Sequence, residues 1–377
     1  KILIDSLEFM FSSSGFLREG SSHYQILLAR TYIEVLWFSS EYNDFNFESI
    51  LKNKVKNIWH ASCFFLEEEE MPIFGDISPD YPIGFHNGVA LVGERIWDEE
   101  SDALLPNKAG WHSFFINTKY LKRDKKKKEG LINYQDSGYC RFRNNIFTIY
   151  IYTNPSGYVP SWSHGHSDTG HFILFIKGKP LLIGTGRVDY KNIKKSNYGR
   201  SVKSHNSLEI DSREPMIVHG LNAYPELMHK DYYNYKPNII ISEKNKECII
   251  KTEYIGYKRL FKDINVNRTI TIQANQVILE DSIDSKKTHN IKTFFHFSPD
   301  INICKASYEK YSITASKKNI DFICHSNYPY EDKIYIKGKY YGTYSPNYGK
   351  EAFTSSIVYN HKKIKKLKNT YTFSING

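Results

Sequence analysis

Between Trp162 and Phe175 the chain reads WSHGHSDTGHFILF, with His164, His166 and Asp168 inside five residues and His171 three further on. Neutral imidazole is a good metal ligand and titrates near neutral pH, so histidines at this density point to metal binding or proton transfer. The bland alternative is a polar loop rim with a chance group of histidines. Alternation along a strand would put His164, His166 and Asp168 on one face and Gly165 and Ser167 on the other. A second group follows in GRVDYKNIKKSNYGRSVKSHN: Arg187, Tyr190, Tyr198, Arg200 and His205 supply proton-transfer and anion-pairing side chains. Gly184-Thr185-Gly186 just before them is no dinucleotide fingerprint, since no helical pattern follows it.

The elements that must hold these residues can be read from periodicity. Ile173 to Ile176, a turn at Lys177-Gly178-Lys179-Pro180, and Leu181 to Ile183 form a β-hairpin by pattern, and Ser207 to Ile210 returns to a strand. Ile2 to Phe11 is helix-compatible. Ser21 and Ser22 offer a cap for a helix over His23 to Phe38, and Phe47, Ile50, Leu51, Val55, Ile58 and Trp59 suggest a third. The acidic run Glu67–Glu70 before Met71-Pro72 reads as a linker. From about residue 78 onward, short β-patterned runs alternate with Gly, Pro, Asn and Asp turns, as in RFRNNIFTIYIY (141–152) and NRTITIQANQVILEDSI (267–283). That pattern predicts a large antiparallel β-sandwich. The fold class is therefore α+β, with a helical segment over 1–70 and a β-domain over 71–377.

The order HGHSD, hairpin, PLLIGTG, tyrosine-rich loop, RSVKSHNSLEID resembles the β-sandwich of the heparinase II/III-like polysaccharide lyases. GFLREGSSHYQILLA at 15–29 is similar to the helix carrying that family's catalytic tyrosine. PIFGDISPD at 72–80, DSGYCRFR at 136–143 and TFFHFSPD at 293–300 are similar to further pieces, so the resemblance spans nearly the whole chain in the family's order. It implies that the helices are the last part of an (α/α) toroid, with the active site in the cleft beside the sandwich. The remainder of the toroid, with an Asn or His that neutralises the substrate carboxylate, would then lie before Lys1.

The resemblance also implies a reaction. A lyase acting on a uronate removes the acidic C5 proton and expels the C4 glycosidic oxygen, which takes a base, an acid and donors for the carboxylate. Tyr24 matches the family's tyrosine in E-G-S-x-x-Y and is expected to be base or acid, with a core-facing helix aromatic as the structural alternative. His164 matches the first motif histidine, and Tyr190 or Tyr198 is a second tyrosine reaching the sugar. Arg187, Tyr198 and Arg200 are expected to bind substrate. In metal-binding relatives the ligands are the second motif His, an Asp after the hairpin and the His of the His-Asn pair. Here they map to His166, Gly184 and His205, so the carboxylate is lost and zinc has two matching ligands rather than three or four. Asp168 or Asp189 are the substitutes, and Gly184→Asp should rebuild the set unless the glycine serves a positive φ.

Composition agrees with this reading without carrying it. The 40% hydrophobic and 15% aromatic content is ample for a core, and 29 Tyr against 23 Phe suits β-structure. A net charge of +10 attracts polyanions. The charge is dispersed, with runs such as Lys125–Lys128 reading as solvated loops and no nucleic-acid motif beside them, so an anionic polysaccharide is the expected partner and nucleic acid is not. No apolar run approaches the roughly 18 residues of a membrane span, and a periplasmic or envelope location follows from the resemblance alone. Five scattered cysteines make no C-x-x-C and read chiefly as buried thiols. The alternative to an active lyase is a lyase-like protein that has lost catalysis and binds or organises an envelope polysaccharide. A hydrolase with paired carboxylates is weaker, because no such pair stands out.

Overall fold

The computed structural model describes residues 2–42, 45–80, 88–104, 127–153, 164–215, 239–244, 247–315, 318–336 and 342–375. Trp162 and Ser163 of the histidine-rich run, and Lys125 and Lys126 of the lysine run, lie outside them. Five helices are described: α1 (Ile2–Met10), α2 (Ser22–Glu41), α3 (Phe45–Phe64), α4 (Gly88–Trp97) and α5 (Ile193–Arg200). The small sheet is β1 (Gly130–Tyr134), β2 (Tyr139–Arg143), β3 (Phe147–Tyr152), β4 (His171–Ile176) and β5 (Lys179–Leu182), in sequence order and antiparallel throughout.

The large sheet is built from β6 (Leu208–Ile210), β7 (Ile239–Lys244), β8 (Glu247–Glu253), β9 (Ile264–Ile272), β10 (Gln276–His296), β11 (Asn302–Lys305), β12 (Lys310–Ala315), β13 (Lys318–Ser326) and β14 (Glu331–Ile336). A separate pair, β15 (Thr343–Asn347) and β16 (Lys350–Phe353), precedes the closing strand β17 (Ser355–Ile375). The long strands β10 and β17 run side by side at its centre.

Three layers result, and the small sheet is the middle one. Cys140, Phe142, Ile149, Ile151, Phe172 and Leu174 face the large sheet in one core. Tyr139, Tyr150, Tyr152, Ile173 and Phe175, the alternate residues, pack on Phe16, Phe64 and Phe65 of the helical layer. Period two thus explains why FTIYIY of β3 and HFILFI of β4 are apolar nearly throughout: their strands are buried on both faces. The β4–β5 turn, with Lys177 at φ 50 and Gly178 at φ 79, has the paired positive φ that a tight hairpin needs.

The structure departs from the sequence expectation in four places. The segment His164–Gly170 is an irregular loop, and β4 begins only at His171, so alternation does not arrange the motif. Helix α4 lies within the span expected to be β-structure, and its Val89, Ala90 and Val92 join the helical core. Helix α5 occupies part of the tyrosine-rich loop, capped by the Asn192 side chain. The acidic run is no solvated linker: Glu67 and Glu68 are buried. All five cysteines are free, and only Cys304 is exposed.

Candidate active site

Helix α2 starts where Ser21 accepts the backbone N–H of Tyr24 at 3.0 Å, which fixes that tyrosine in the first turn. The Tyr24 ring lies flat on the His164 imidazole, centroids 3.7 Å apart and planes within 7°. Its hydroxyl is 3.0 Å from that of Tyr190, on the loop before α5. The backbone N–H of Tyr190 in turn donates to the Tyr348 hydroxyl at 3.2 Å. Burial raises the Tyr24 pKa and pushes that of Tyr190 well up, so both phenols keep their protons at neutral pH. The Tyr24 and His164 rings are thus in direct contact.

Asp76, in the segment between α3 and α4, organises the histidines. Its Oδ2 accepts from His164 Nδ1 at 3.1 Å and from Arg187 Nη1 at 2.8 Å, and its Oδ1 accepts from His166 Nε2 at 2.8 Å. Burial opposes its ionisation, but the hydrogen bonds from both histidines and the charges of His166 and Arg187 more than offset this and hold the carboxyl well below the usual range. The other nitrogen of His164 is 3.4 Å from Glu19, so this ring sits between two carboxylates.

Arg187 also donates to Ser196 at 2.8 Å and lies 4.3 Å over the Tyr190 ring. Tyr198 and Arg200 lie on α5, and Arg200 is buried. Burial and proximity to Arg187 pull the Arg200 pKa down, against the Asp76 charge.

The second motif histidine has a different environment. His166 Nε2 donates to the Asp76 carboxylate, which leaves Nδ1 bare. His205 Nδ1 donates to the Ser201 carbonyl at 2.7 Å, which leaves Nε2 bare. These two bare nitrogens face each other at 3.2 Å. Two ligands about 2.0–2.1 Å from one tetrahedral zinc stand about 3.3 Å apart, and outer N–H groups held by a carboxylate or carbonyl are the usual support of such ligands. The pair therefore fits two corners of a metal site. Burial pushes both imidazoles below their ordinary pKa, which disfavours a proton in the gap.

Among the described residues, no set of three His, Cys, Asp or Glu side chains converges on a metal position. Asp168 is buried with neither carboxyl oxygen hydrogen-bonded, and Asp189 accepts the backbone N–H groups of Lys191 and Asn192. Gly184 has no positive φ, yet a Cβ there would lie 2.3 Å from the Ile73 carbonyl oxygen and 3.1 Å from His171 Nε2. The space a carboxylate would need is filled, so Gly184→Asp does not rebuild a ligand in this backbone. His171 is no replacement. Its Nδ1 already accepts the Asn206 N–H at 2.9 Å, so in the neutral ring Nε2 carries the proton.

Tyr24, His164, Tyr190 and Arg187 are thus brought together, as are His166 and His205. Sequence reasoning missed Asp76, Glu19 and Ser201. Asp76 stands alone in PIFGDISPD with no spacing to mark it, and its significance comes from segments 88 to 111 residues away.

Comparison with solved structures agrees with the layers. A heparinase III gene product superposes over 100% of this chain and 55% of its own, with a TM-score of 0.76 at 13% identity. A heparan sulfate lyase from Pedobacter heparinus is covered over 55% of its length by 100% of this chain (TM-score 0.73, 16% identity), and a further heparinase III gives 0.76 at 14%. The chain thus spans little more than half the length of these proteins, and at such identities the likeness is one of fold. No curated protein matches the chain. Among the described residues no helix is long and apolar enough to cross a membrane. The family model described as heparinase II/III-like, C-terminal, matches residues 126–374, and on that match this chain belongs to the heparinase II/III-like family.

Proposed function

We propose that the protein is a polysaccharide lyase that cleaves a uronate-containing anionic chain by β-elimination, with Tyr24 and His164 in proton transfer. The observation that carries this reading is the Tyr24 hydroxyl meeting that of Tyr190 beside His164, whose ring is held between Asp76 and Glu19. A phenol whose pKa burial has raised is suited to protonating the departing C4 oxygen. His164, between Asp76 and Glu19, is the candidate to carry the C5 proton or to meet the substrate carboxylate. Tyr190 and the exposed side of Arg187 would orient the sugar. Zinc, held by His166 and His205, would act as a clamp between the motif loop and the turn before β6, and no step of the elimination is routed through it. A periplasmic or envelope location and a heparan-type, alginate-type or capsular substrate belong to the same proposal.

A second reading, a lyase-like protein that binds polysaccharide without cleaving it, is favoured by the direct contact of Tyr24 and His164, which leaves no gap between them. Incubation of the full protein with a panel of anionic polysaccharides, followed by absorbance of unsaturated uronate ends, separates the two. New absorbance with one chain supports the lyase. Retained binding with no absorbance on any chain supports the second reading.

A further inference from the structure

Asp76 touches both halves of the site, and its two oxygens divide the work. Oδ2 takes His164 and Arg187, the side on which His164 stacks on Tyr24. Oδ1 faces inward, where it takes His166, whose other nitrogen meets His205. The backbone around it is stitched on each side. Its N–H donates to the His164 carbonyl at 2.9 Å, and its carbonyl accepts the hydroxyl of Ser21, the residue that caps Tyr24's helix. Gly75, at φ 68, is packed so closely that a Cβ would lie 2.3 Å from the Gly20 carbonyl and 2.7 Å from that of His164. The carboxylate therefore has little freedom to follow one partner at the expense of another.

We infer that Asp76 is a positioning residue that couples the cleft to the buried histidine pair: it fixes the tautomers of His164 and His166 together, and so sets both the proton-transfer geometry and the lone pair available to a metal. This inference rests on the lyase reading for its kinetic half only. Asparagine at this position keeps the shape but replaces one acceptor oxygen by an N–H donor. Whichever way the amide turns, one side of the cluster loses its acceptor. If the amide nitrogen faces His166, that ring must take the opposite tautomer, which puts a proton on Nδ1 and closes the lone pair toward His205.

The test begins with the unaltered protein. Two-dimensional ¹H–¹⁵N spectra that correlate ring carbons with ring nitrogens should report His166 with its proton on Nε2 and His164 with a proton on Nδ1. His166 protonated on Nδ1 alone overturns the inference before any variant is made. In Asp76→Asn, zinc affinity by competition with a fluorescent chelator should fall by about 10–100-fold, the usual cost of removing a ligand's outer partner. Turnover should fall by a similar factor with KM changed by less than about threefold, since Asp76 touches no sugar. His205→Ala should lose zinc with a smaller loss of turnover, which separates metal removal from tautomer control. If no polysaccharide is cleaved by the parent, the lyase reading fails, while the spectra and the zinc titration still judge Asp76. Parental zinc affinity together with unchanged tautomers in Asp76→Asn would overturn the coupling. If that variant does not fold, the tautomers of the unaltered protein decide.

Discussion

Where the helices meet the small sheet, Glu67 and Glu68 face Arg141 and Arg143; a few residues later in the chain, Asp76 faces His164, His166 and Arg187. Both groups are buried carboxylates met by cations, and they are finished differently. Arg141 Nη2 donates to Glu67 Oε1 at 3.1 Å, and Arg143 Nη2 spans Glu67 Oε2 and Glu68 Oε1 at 2.8 and 2.7 Å. Lys127 takes the last Glu68 oxygen. Further donors are used as well: Arg143 Nε reaches Thr148, Arg141 Nη1 reaches the Gly130 carbonyl, and Arg141 Nε lies 2.9 Å from Glu67 Oε2 as an ion pair. In that cluster every carboxylate oxygen is filled. In the Asp76 cluster the chain of bonds ends on two bare nitrogens in contact and on the half-buried phenols of Tyr24 and Tyr190. A closed buried network holds layers together; an open one leaves capacity for a proton, a cation or a substrate.

That contrast is broken most directly at Arg143. Arg143→Ala would leave Glu67 and Glu68 buried with too few cations, and removing one partner of a buried pair costs about 3–5 kcal/mol. Urea unfolding should register a loss of that size with His166 and His205 spectra unmoved in the folded protein. A loss under about 1 kcal/mol would mean that the cluster does not bear on stability as argued. Tyr24→Phe tests the open cluster from its other end. It keeps the ring on His164 and removes the hydroxyl, so turnover should drop by about 10²-fold or more while the unfolding midpoint stays near parental. A variant that still produces unsaturated ends at the parental rate would remove Tyr24 from proton transfer.

Gly184 yields a smaller effect and separates space from ligation. Because a Cβ meets the Ile73 carbonyl at 2.3 Å, Gly184→Ala should destabilise by about 1–3 kcal/mol, the usual cost of overpacking. Gly184→Asp should be no more stable and should bind zinc no better than the parent in a chelator competition. Tighter zinc binding by Gly184→Asp would mean that the β5 end and the segment carrying Ile73 can separate, and that the lost ligand is recoverable.

The layers were legible because burial writes its own period. The doubly apolar strands at 147–152 and 171–176, the Gly178 turn and the 3–4 spacing of α2 are all local signals. The neighbourhood of Tyr24, His164 and Tyr190 was legible only through family resemblance, since Tyr24 and Tyr190 lie 166 residues apart. Asp76 was not legible at all. A single acid in a short apolar segment carries no periodicity, and its importance arises from three partners that tertiary structure delivers. Helix α4 was missed because GVALVGERIW has glycines and β-branched residues at a length where strand and helix patterns overlap. The acidic run misled for a related reason: charge predicts solvent unless the counter-charges, here on β2, are already known to be near.

Glu214 lies between the two cases and sharpens the comparison with the smallest expected effect. Its carboxylate accepts the Val202 N–H at 2.6 Å at the start of the turn that leads to Ser201's partner His205. Burial pushes its pKa from 4.5 up to about 7, against the hydrogen bonds from Val202 and Ser167. The folded protein therefore keeps a proton on Glu214 that the unfolded chain releases from about pH 4.5 upward. Between about pH 4.5 and 7 the folded state binds more protons, so this group's contribution to stability falls as pH rises, by at most about 1.4 kcal/mol per pH unit, and levels off above 7. Glutamine keeps an acceptor for Val202 and cannot ionise. Urea midpoints measured at intervals from pH 4.5 to 7 should thus fall less steeply with pH in Glu214→Gln than in the parent, with the two lines crossing rather than running parallel. Parallel lines would mean that Glu214 is charged throughout, and that water or an unpaired cation closes this cluster as the arginines close the one at Glu67.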